Sequence, residues 1–441
     1  MTSGAALGSS GGYCCCGRAV DIVSVVEFDR TGEFLAAGDR GGRVVVFERV
    51  QSEEAPCEYR FYAEFQSHEP EFDYLKSLEI EEKINKIVFC RSPMQRSSLL
   101  LLTTNDKTIK LWRVFDKGVM GGTRSSSLYV GSSGSSSSSS SDAGSSQLVL
   151  PRVGHREVQK TASTRRVFSN AHAYHINSLS LNSDAETFIS SDDLRINMWN
   201  LEVSDRCFNI VDIKPANMEE LAEVITSSLF HPTHCHEFMY SCSNGVVKLA
   251  DMRQAALCDN HAKVFSAVED QTTKSFFSEL VVSISDIKFT PDGRYILARD
   301  YLTVKVWDTH MEREPMAVIP LHEYLRPKLC DLYEKDCLFD RYEVSPSPNG
   351  RAFSTATYHN YFLIYDILPT GAPLTEPVPS LRIKLGGNKR KTEDQIDVNA
   401  ISFTKKPLHV AWHPRDDVIA IGASNNLYLY ASHWSNADHT P

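Results

Sequence analysis

Seven times along this chain, two short apolar runs face each other across a polar turn. In residues 99–112 the runs are 99–104 and 109–112, and the turn is Asn105-Asp106-Lys107. Apolar runs joined in this way read as a β-hairpin. The same shape returns at 38–47 (GDRGGRVVVF), 190–199 (SSDDLRINMW), 241–250 (SCSNGVVKLA), 299–307 (RDYLTVKVW), 358–365 (YHNYFLIY) and 423–430 (ASNNLYLY). The closing residues Phe47, Trp112, Trp199, Ala250, Trp307, Tyr365 and Tyr430 lie 51 to 87 residues apart. A period of this order, carried by four short strands, predicts a propeller of four-stranded blades. Each blade buries little alone and must stack on its neighbours. The expectation is an all-β, seven-bladed β-propeller of the WD-repeat type.

The recurring pattern also predicts the first strand of each blade. Residues 21–28 (DIVSVVEF) alternate apolar and polar side chains, as a half-buried strand does. Residues 84–89, 176–181, 225–230, 284–289 and 408–412 take the same place later, and 339–344 is the expectation for blade six. Pro291-Asp292-Gly293 and His413-Pro414-Arg415-Asp416 supply turns. The last hairpin leaves its blade one strand short. The N-terminus is the obvious donor, yet 13–18 makes a poor strand. Residues 1–18, rich in Gly, Ser and Ala, read as a disordered tail. The propeller is expected over 19–432, with a second tail at 433–441.

Several segments interrupt the repeat. Residues 65–87 are acidic and aperiodic and predict a folded loop running into the next strand. The largest insertion, 116–163, predicts a projecting β-hairpin arm in which 128–130 pairs with 148–150. Its tip is the serine run 132–141, which buries no apolar area and is expected to be disordered. Pro215-Ala216-Asn217 leads into a short helix at 218–224, with Glu219 and Glu220 in its first turn. Residues 322–342 interleave Tyr324, Tyr333, Phe339 and Tyr342 with charges of both signs, and loops on rigid scaffolds carry function. Residues 369–392 end in Lys389-Arg390-Lys391, which reads as a nuclear-import signal or, more simply, as a solvated loop.

Composition narrows the class. A chain 42% hydrophobic and 10% aromatic suits a large folded core. No run approaches the roughly 18 apolar residues of a membrane helix, and 1–12 lack the apolar segment of a secretory signal. The net charge of −10 argues against a nucleic-acid binder and suits basic partners, although a merely solvated acidic surface explains it as well. Eleven scattered cysteines read as reduced thiols of the cytosol or nucleus. Cys14-Cys15-Cys16 offers thiols for acylation, but no amphipathic or polybasic segment supports that reading.

No catalytic centre is legible. No P-loop, no GxSxG elbow between a strand and a helix, and no HExxH appears. His231, His234, Cys235 and His236 collect donor atoms, but their spacing matches no zinc pattern, and a His-Pro turn explains His231. Asp192-Asp193 reads as a carboxylate pair or, more simply, as a hairpin turn. The chain is therefore expected to be non-enzymatic, without metal or cofactor.

Residues 65–87, 105–112, 171–182 (AHAYHINSLSLN), 191–201 (SDDLRINMWNL), 208–226 and 322–340 (HEYLRPKLCDLYEKDCLFD) together resemble the B-type (fifty-five kilodalton class) regulatory subunits of protein phosphatase 2A. The resemblance runs from about residue 21 to 430. It implies a non-catalytic propeller that sits on the HEAT-repeat scaffold subunit, faces the catalytic subunit and recruits phosphoserine and phosphothreonine substrates. An acidic groove on the top face would receive their basic segments. Carried over by motif, the groove residues are Asp193 (SDDLR), Leu221 (NMEEL), Arg326 (EYLR), and Tyr333, Glu334, Asp336 and Phe339 (LYEKDCLF). Asp193, Glu334 and Asp336 would hold Lys or Arg, and Leu221 and Phe339 would supply an apolar anchor. Such complementarity sets on-rate and partner choice, each exposed pair contributing about 0.2–1 kcal/mol. The arm would hold the scaffold, supported by the basic pair Arg165 and Arg166. The family's closing N-terminal strand is not recognisable before Asp21, and Arg341 stands where the family tends to have Lys. The competing reading is a generic WD-repeat adaptor of a ubiquitin ligase or chromatin complex. Only one Trp-Asp pair, Trp307-Asp308, and the insertions at 65–87 and 218–224 speak against it.

Overall fold

The computed structural model describes residues 4–7, 19–50, 58–74, 77–91, 98–122, 153–255, 257–258, 263–267, 276–358, 360–367, 381–385, 403 and 406–431. They form seven four-stranded antiparallel sheets and one small two-stranded sheet. In six sheets the strands follow chain order, as in blade three: Ser178–Leu181, Thr187–Ser191, Arg195–Asn200, Val203–Asp212. The first strands form the inner ring: Val23–Phe28, Lys86–Cys90, Ser178–Leu181, Ile225–Phe230, Asp286–Phe289, Val344–Pro346 and His409–Trp412. Each packs on the next, and the last returns to the first.

Blade seven closes the circle with chain from both termini. Gly4–Leu7 pairs antiparallel with Asn426–Ala431, Gly4 opposite Tyr430 and Leu7 opposite Leu427. The closing strand thus comes from within the segment read as a tail, upstream of the stretch considered for the role. Blade six also departs from expectation. Its first strand begins at Val344, because Cys337–Phe339 is a turn of 3-10 helix ending the preceding insertion.

Apolar faces of successive blades interlock. Between blades two and three, Leu100, Leu102 and Leu111 pack with Phe168, Phe188 and Trp199, and Phe168 meets the other two rings edge-on at 5.0 and 5.4 Å. Each such side chain contributes about 1.5–3 kcal/mol by leaving water. The His-Pro turns tie blades at their rims. His231 Nε2–H donates to the Gly293 carbonyl of blade five (3.2 Å), and His413 does the same to Gly32 of blade one (3.2 Å). Both glycines have positive φ, and a Cβ on either would overlap the imidazole.

The insertions are more structured than their composition indicates. Residues 65–87 contain a hairpin, Glu71–Asp73 with Leu78–Ile80. The arm of blade two pairs Ile109–Gly122 with Val153–Phe168, Asp116 opposite Lys160 and Gly122 opposite Val153. The helix expected over 218–224 is a single 3-10 turn, Met218–Glu220, whose end Leu221 is already extended (φ −64°, ψ 110°). Residues 128–130, 132–141 and 148–150, Cys14 to Cys16, Lys389 to Lys391 and 433–441 lie outside the described residues.

Strand order divides the surface into two faces. Connections between blades, and turns between second and third strands, share the top face. Turns between first and second, and between third and fourth, share the bottom face.

Candidate functional site

A long top-face insertion links blades five and six. A 3-10 segment, Glu323–Lys328, runs into a helix, α2 (Leu329–Glu334), and then into Cys337–Phe339. Leu325, Leu329, Leu332, Cys337 and Leu338 turn into the core. Helical spacing then puts Tyr333, Glu334 and Asp336 outside, where all three are exposed. Asp336 adopts a left-handed φ of 56° and reverses the chain. Asp340 anchors the far end, its carboxylate accepting from the Tyr358 hydroxyl (3.0 Å) and from Lys406 Nζ (2.5 Å). Phe339 is left standing 58% exposed.

A helix that the repeat pattern does not announce packs beside it. In α1 (Phe276–Val282), Phe276 and Phe277 meet the Tyr333 ring edge-on at 5.6 and 5.9 Å. Phe339 lies 6.0 Å from the same ring. Phe276, Phe277, Leu280 and Val281 recur at helical spacing and could have revealed the element. On one side of α1 opens a groove of about 620 Å³, bordered by Ala222, Glu279, Tyr301, Phe339 and Arg341. On its other side lies a second cavity of about 630 Å³, bordered by Asp300, Lys305, Arg326 and Leu329.

The two adjacent aspartates of blade three have separate uses. Asp192 is buried. Its Oδ1 accepts from the backbone N–H groups of Leu194 and Arg195 (2.9 and 2.8 Å), and its Oδ2 lies 3.0 Å from His172 Nδ1. His172 Nε2 continues to Ser190 Oγ (2.7 Å), to which Trp199 Nε1–H also donates (2.9 Å). Asp193 projects half-buried from the turn, its carbonyl accepting from Ile225 N–H of blade four (2.8 Å). Burial pushes its carboxyl above the ordinary aspartate value. Arg341 opposes this most among the surrounding charges, Asp192 adds to it, and His175 and Lys107 oppose it.

Asp193 and the groove around Phe339 are therefore linked through Arg341. Leu221, half-buried, adjoins the groove-lining Ala222, and Glu334 and Asp336 stand on the exposed rim near Phe339. Arg326 is separated from this group. It borders the second cavity and pairs with Glu323 at 2.5 Å. The arrangement presents a partly desolvated carboxylate and, within its electrostatic reach, a guanidinium that borders the groove together with the exposed Phe339 ring. Arg165 and Arg166, on the outer strand of blade two, both reach Glu202 in the bottom-face turn of blade three, at 2.8 and 3.3 Å.

No protein-family model matches the chain. Curated proteins do. One from Dictyostelium discoideum, the serine/threonine-protein phosphatase 2A regulatory subunit phr2AB, is 50% identical over 457 aligned residues, 93% of this chain and 94% of its own. The B-type regulatory subunit of protein phosphatase PP2A from Schizosaccharomyces pombe is 50% identical over 93% of each chain. So is the gamma isoform of the 55 kDa B-type regulatory subunit of serine/threonine-protein phosphatase 2A from Oryctolagus cuniculus.

Proposed function

Because this chain belongs to the 55 kDa B-type family of protein phosphatase 2A regulatory subunits, and is a regulatory rather than a catalytic component, we propose that it binds both the HEAT-repeat scaffold subunit and the catalytic subunit and selects phosphoserine and phosphothreonine substrates for them. The observation that carries the substrate reading is the meeting of Asp193, Arg341 and the Phe339 groove on one face. A basic substrate segment gains a carboxylate already partly stripped of water, and its apolar neighbour gains the Phe339, Tyr333 and Phe276 rings. Glu334 and Asp336 would add rim charge, which acts mainly on encounter. In this reading the scaffold meets the opposite face, from which the arm projects, and the Arg165–Arg166 pair on the outer strand of blade two supports it. Glu202 would have to share those arginines. A cytoplasmic location, with the nucleus as a further one, accompanies the proposal.

The test is reconstitution with scaffold and catalytic subunits, followed by size-exclusion chromatography and turnover of a phosphopeptide flanked by lysines. Asp193→Lys is expected to co-elute in the ternary peak while kcat/KM falls roughly tenfold, about 1.4 kcal/mol. Loss of scaffold binding in this variant would remove Asp193 from the substrate groove. Failure of the unmodified chain to form a ternary peak would overturn the whole reading.

A further inference from the structure

The turn between the first two strands of blade four reads His231-Pro-Thr-His234-Cys235-His236-Glu237, and the fold adds a ligand that its spacing does not show. In the register of the second and third strands, Glu237 lies directly opposite Asp251. Met252 N–H donates to the His236 carbonyl (2.9 Å), which holds the two strand ends together. Donor atoms of His236, Glu237 and Asp251 all lie within 4.8 Å of one another. His236 Nε2 stands 3.5 Å from Glu237 Oε1, and His234 Nδ1 stands 3.3 Å from Glu237 Oε2. His231 is excluded as a ligand. Its Nε2–H donates to Gly293, and its Nδ1 accepts from the Thr233 and His234 backbone.

We propose that His236, Glu237 and Asp251 form a divalent-cation site of the zinc class, with His234 closing the fourth position. Three observations favour an ion over a hydrogen-bonded surface cluster. The separations of 3.3 and 3.5 Å exceed the about 2.7–2.9 Å of a charge-assisted hydrogen bond. The His236–Glu237 Oε1 separation is close to the edge of a tetrahedron with metal–ligand bonds of about 2.0–2.1 Å, which is about 3.4 Å, and His234, now on Oε2, has to move to share that vertex. Two carboxylates directly opposite on paired strands repel each other; Arg253 offsets this through Asp251, and a divalent ion between the two would offset it more directly. Imidazole with carboxylate suits zinc-class ions and not calcium or magnesium. The backbone is pinned on both sides, by His231 N–H to the Glu237 carbonyl (2.9 Å) and by Glu237 N–H to the His234 carbonyl (3.2 Å). Two side-chain movements complete the site. The half-exposed His234 ring turns inward, its centroid now 5.8 Å from that of His236. Arg253, which holds Asp251 at 2.7 Å, swings into solvent.

The experiment is isothermal titration of zinc into the full, metal-stripped chain. A single saturable site is expected. His236→Ala should weaken it at least about tenfold, a loss that even outer-shell partners of a metal can cause. Arg253→Ala should tighten it several-fold by freeing Asp251, and Cys235→Ser should leave it unchanged. Circular dichroism of the metal-free variants separates lost binding from lost folding. Absence of saturable binding in the unmodified chain, unchanged affinity in folded His236→Ala or Arg253→Ala, or loss of binding in Cys235→Ser, which would mark an exposed thiol as the ligand, overturns the assignment. None of these outcomes depends on phosphatase assembly.

Discussion

Asp192 receives the backbone N–H groups of Leu194 and Arg195 and meets His172, which continues to Ser190 and Trp199. Burial alone would raise its carboxyl. The His172 hydrogen bond and the two backbone donors outweigh burial and hold it below the usual aspartate value. Asp192→Ala leaves buried donors unsatisfied, so a loss of about 3 kcal/mol is expected, read as a lower urea midpoint at unchanged m. A carboxylate held low stabilises the fold above its unfolded value near pH 3.9, and that contribution fades as pH falls through the folded value. The gap between wild type and Asp192→Ala should therefore be full at neutral pH and narrow below about pH 4. A constant gap would mean that Asp192 acts by packing alone. Asp193, one residue on, lacks this network and keeps its carboxylate at the surface of the turn.

Among the elements, Gly4–Leu7 carries the clearest consequence. It covers Asn426–Ala431, which would otherwise be an open edge beside the join of the ring. Deleting residues 1–8 should lower the melting temperature by at least about 2 °C and bring concentration-dependent association through the bared edge, seen as earlier elution. Unchanged melting and elution would show that the other three strands close the ring unaided. The short 3-10 turn at Met218–Glu220 has a simpler cause. Val224, Ile225 and Thr226 are β-branched and belong to the approach and start of the next strand, which leaves little chain for a helix.

For the whole molecule, the inner ring brings charges from five blades together. Lys86 Nζ of blade two contacts Glu343 Oε1 (2.5 Å), just before blade six, and His409 of blade seven lies 3.3 Å from the other oxygen. Glu27 of blade one and Asp286 of blade five are both pushed upward, chiefly by burial, with Lys288 and Lys86 opposing. Burial also disfavours the Glu343 anion, but Lys86 and His409 prevail and hold it far below its usual value. Lys86→Met would leave Glu343 without its main partner, and a loss of about 3–5 kcal/mol is expected at pH 7. Since Glu343 is depressed, the stability it supplies is present above about pH 4.3 and lost on acidification. Urea unfolding at pH 7 and pH 4 should show the Lys86→Met deficit shrinking at the lower pH. An equal deficit at both would place the effect outside this ion pair.

Hairpins announce themselves locally, because turn residues and alternating side chains are properties of neighbouring positions. The seven-fold repeat, the all-β class and the long motifs shared with the B-type regulators of phosphatase 2A were accordingly legible from sequence. So were the top-face insertions at 65–87, 208–226 and 322–342, though not the helix Phe276–Val282, and the His-Pro turn that accounts for His231. Other features depend on residues far apart in the chain. Gly4–Leu7 carries little strand signal of its own and becomes a strand because Asn426–Ala431 has hydrogen bonds left to fill. Phe339 stands exposed because Leu338 and Cys337 take the buried side of their turn, and Arg341 reaches Asp193's surroundings only when the ring brings blades three and six to one opening. Asp251 meets Glu237 through strand register, not through spacing. Local residue pattern determined which segments become strands and turns; only the closed ring, which has to satisfy every edge and bury every blade face at once, decided which distant side chains share a site.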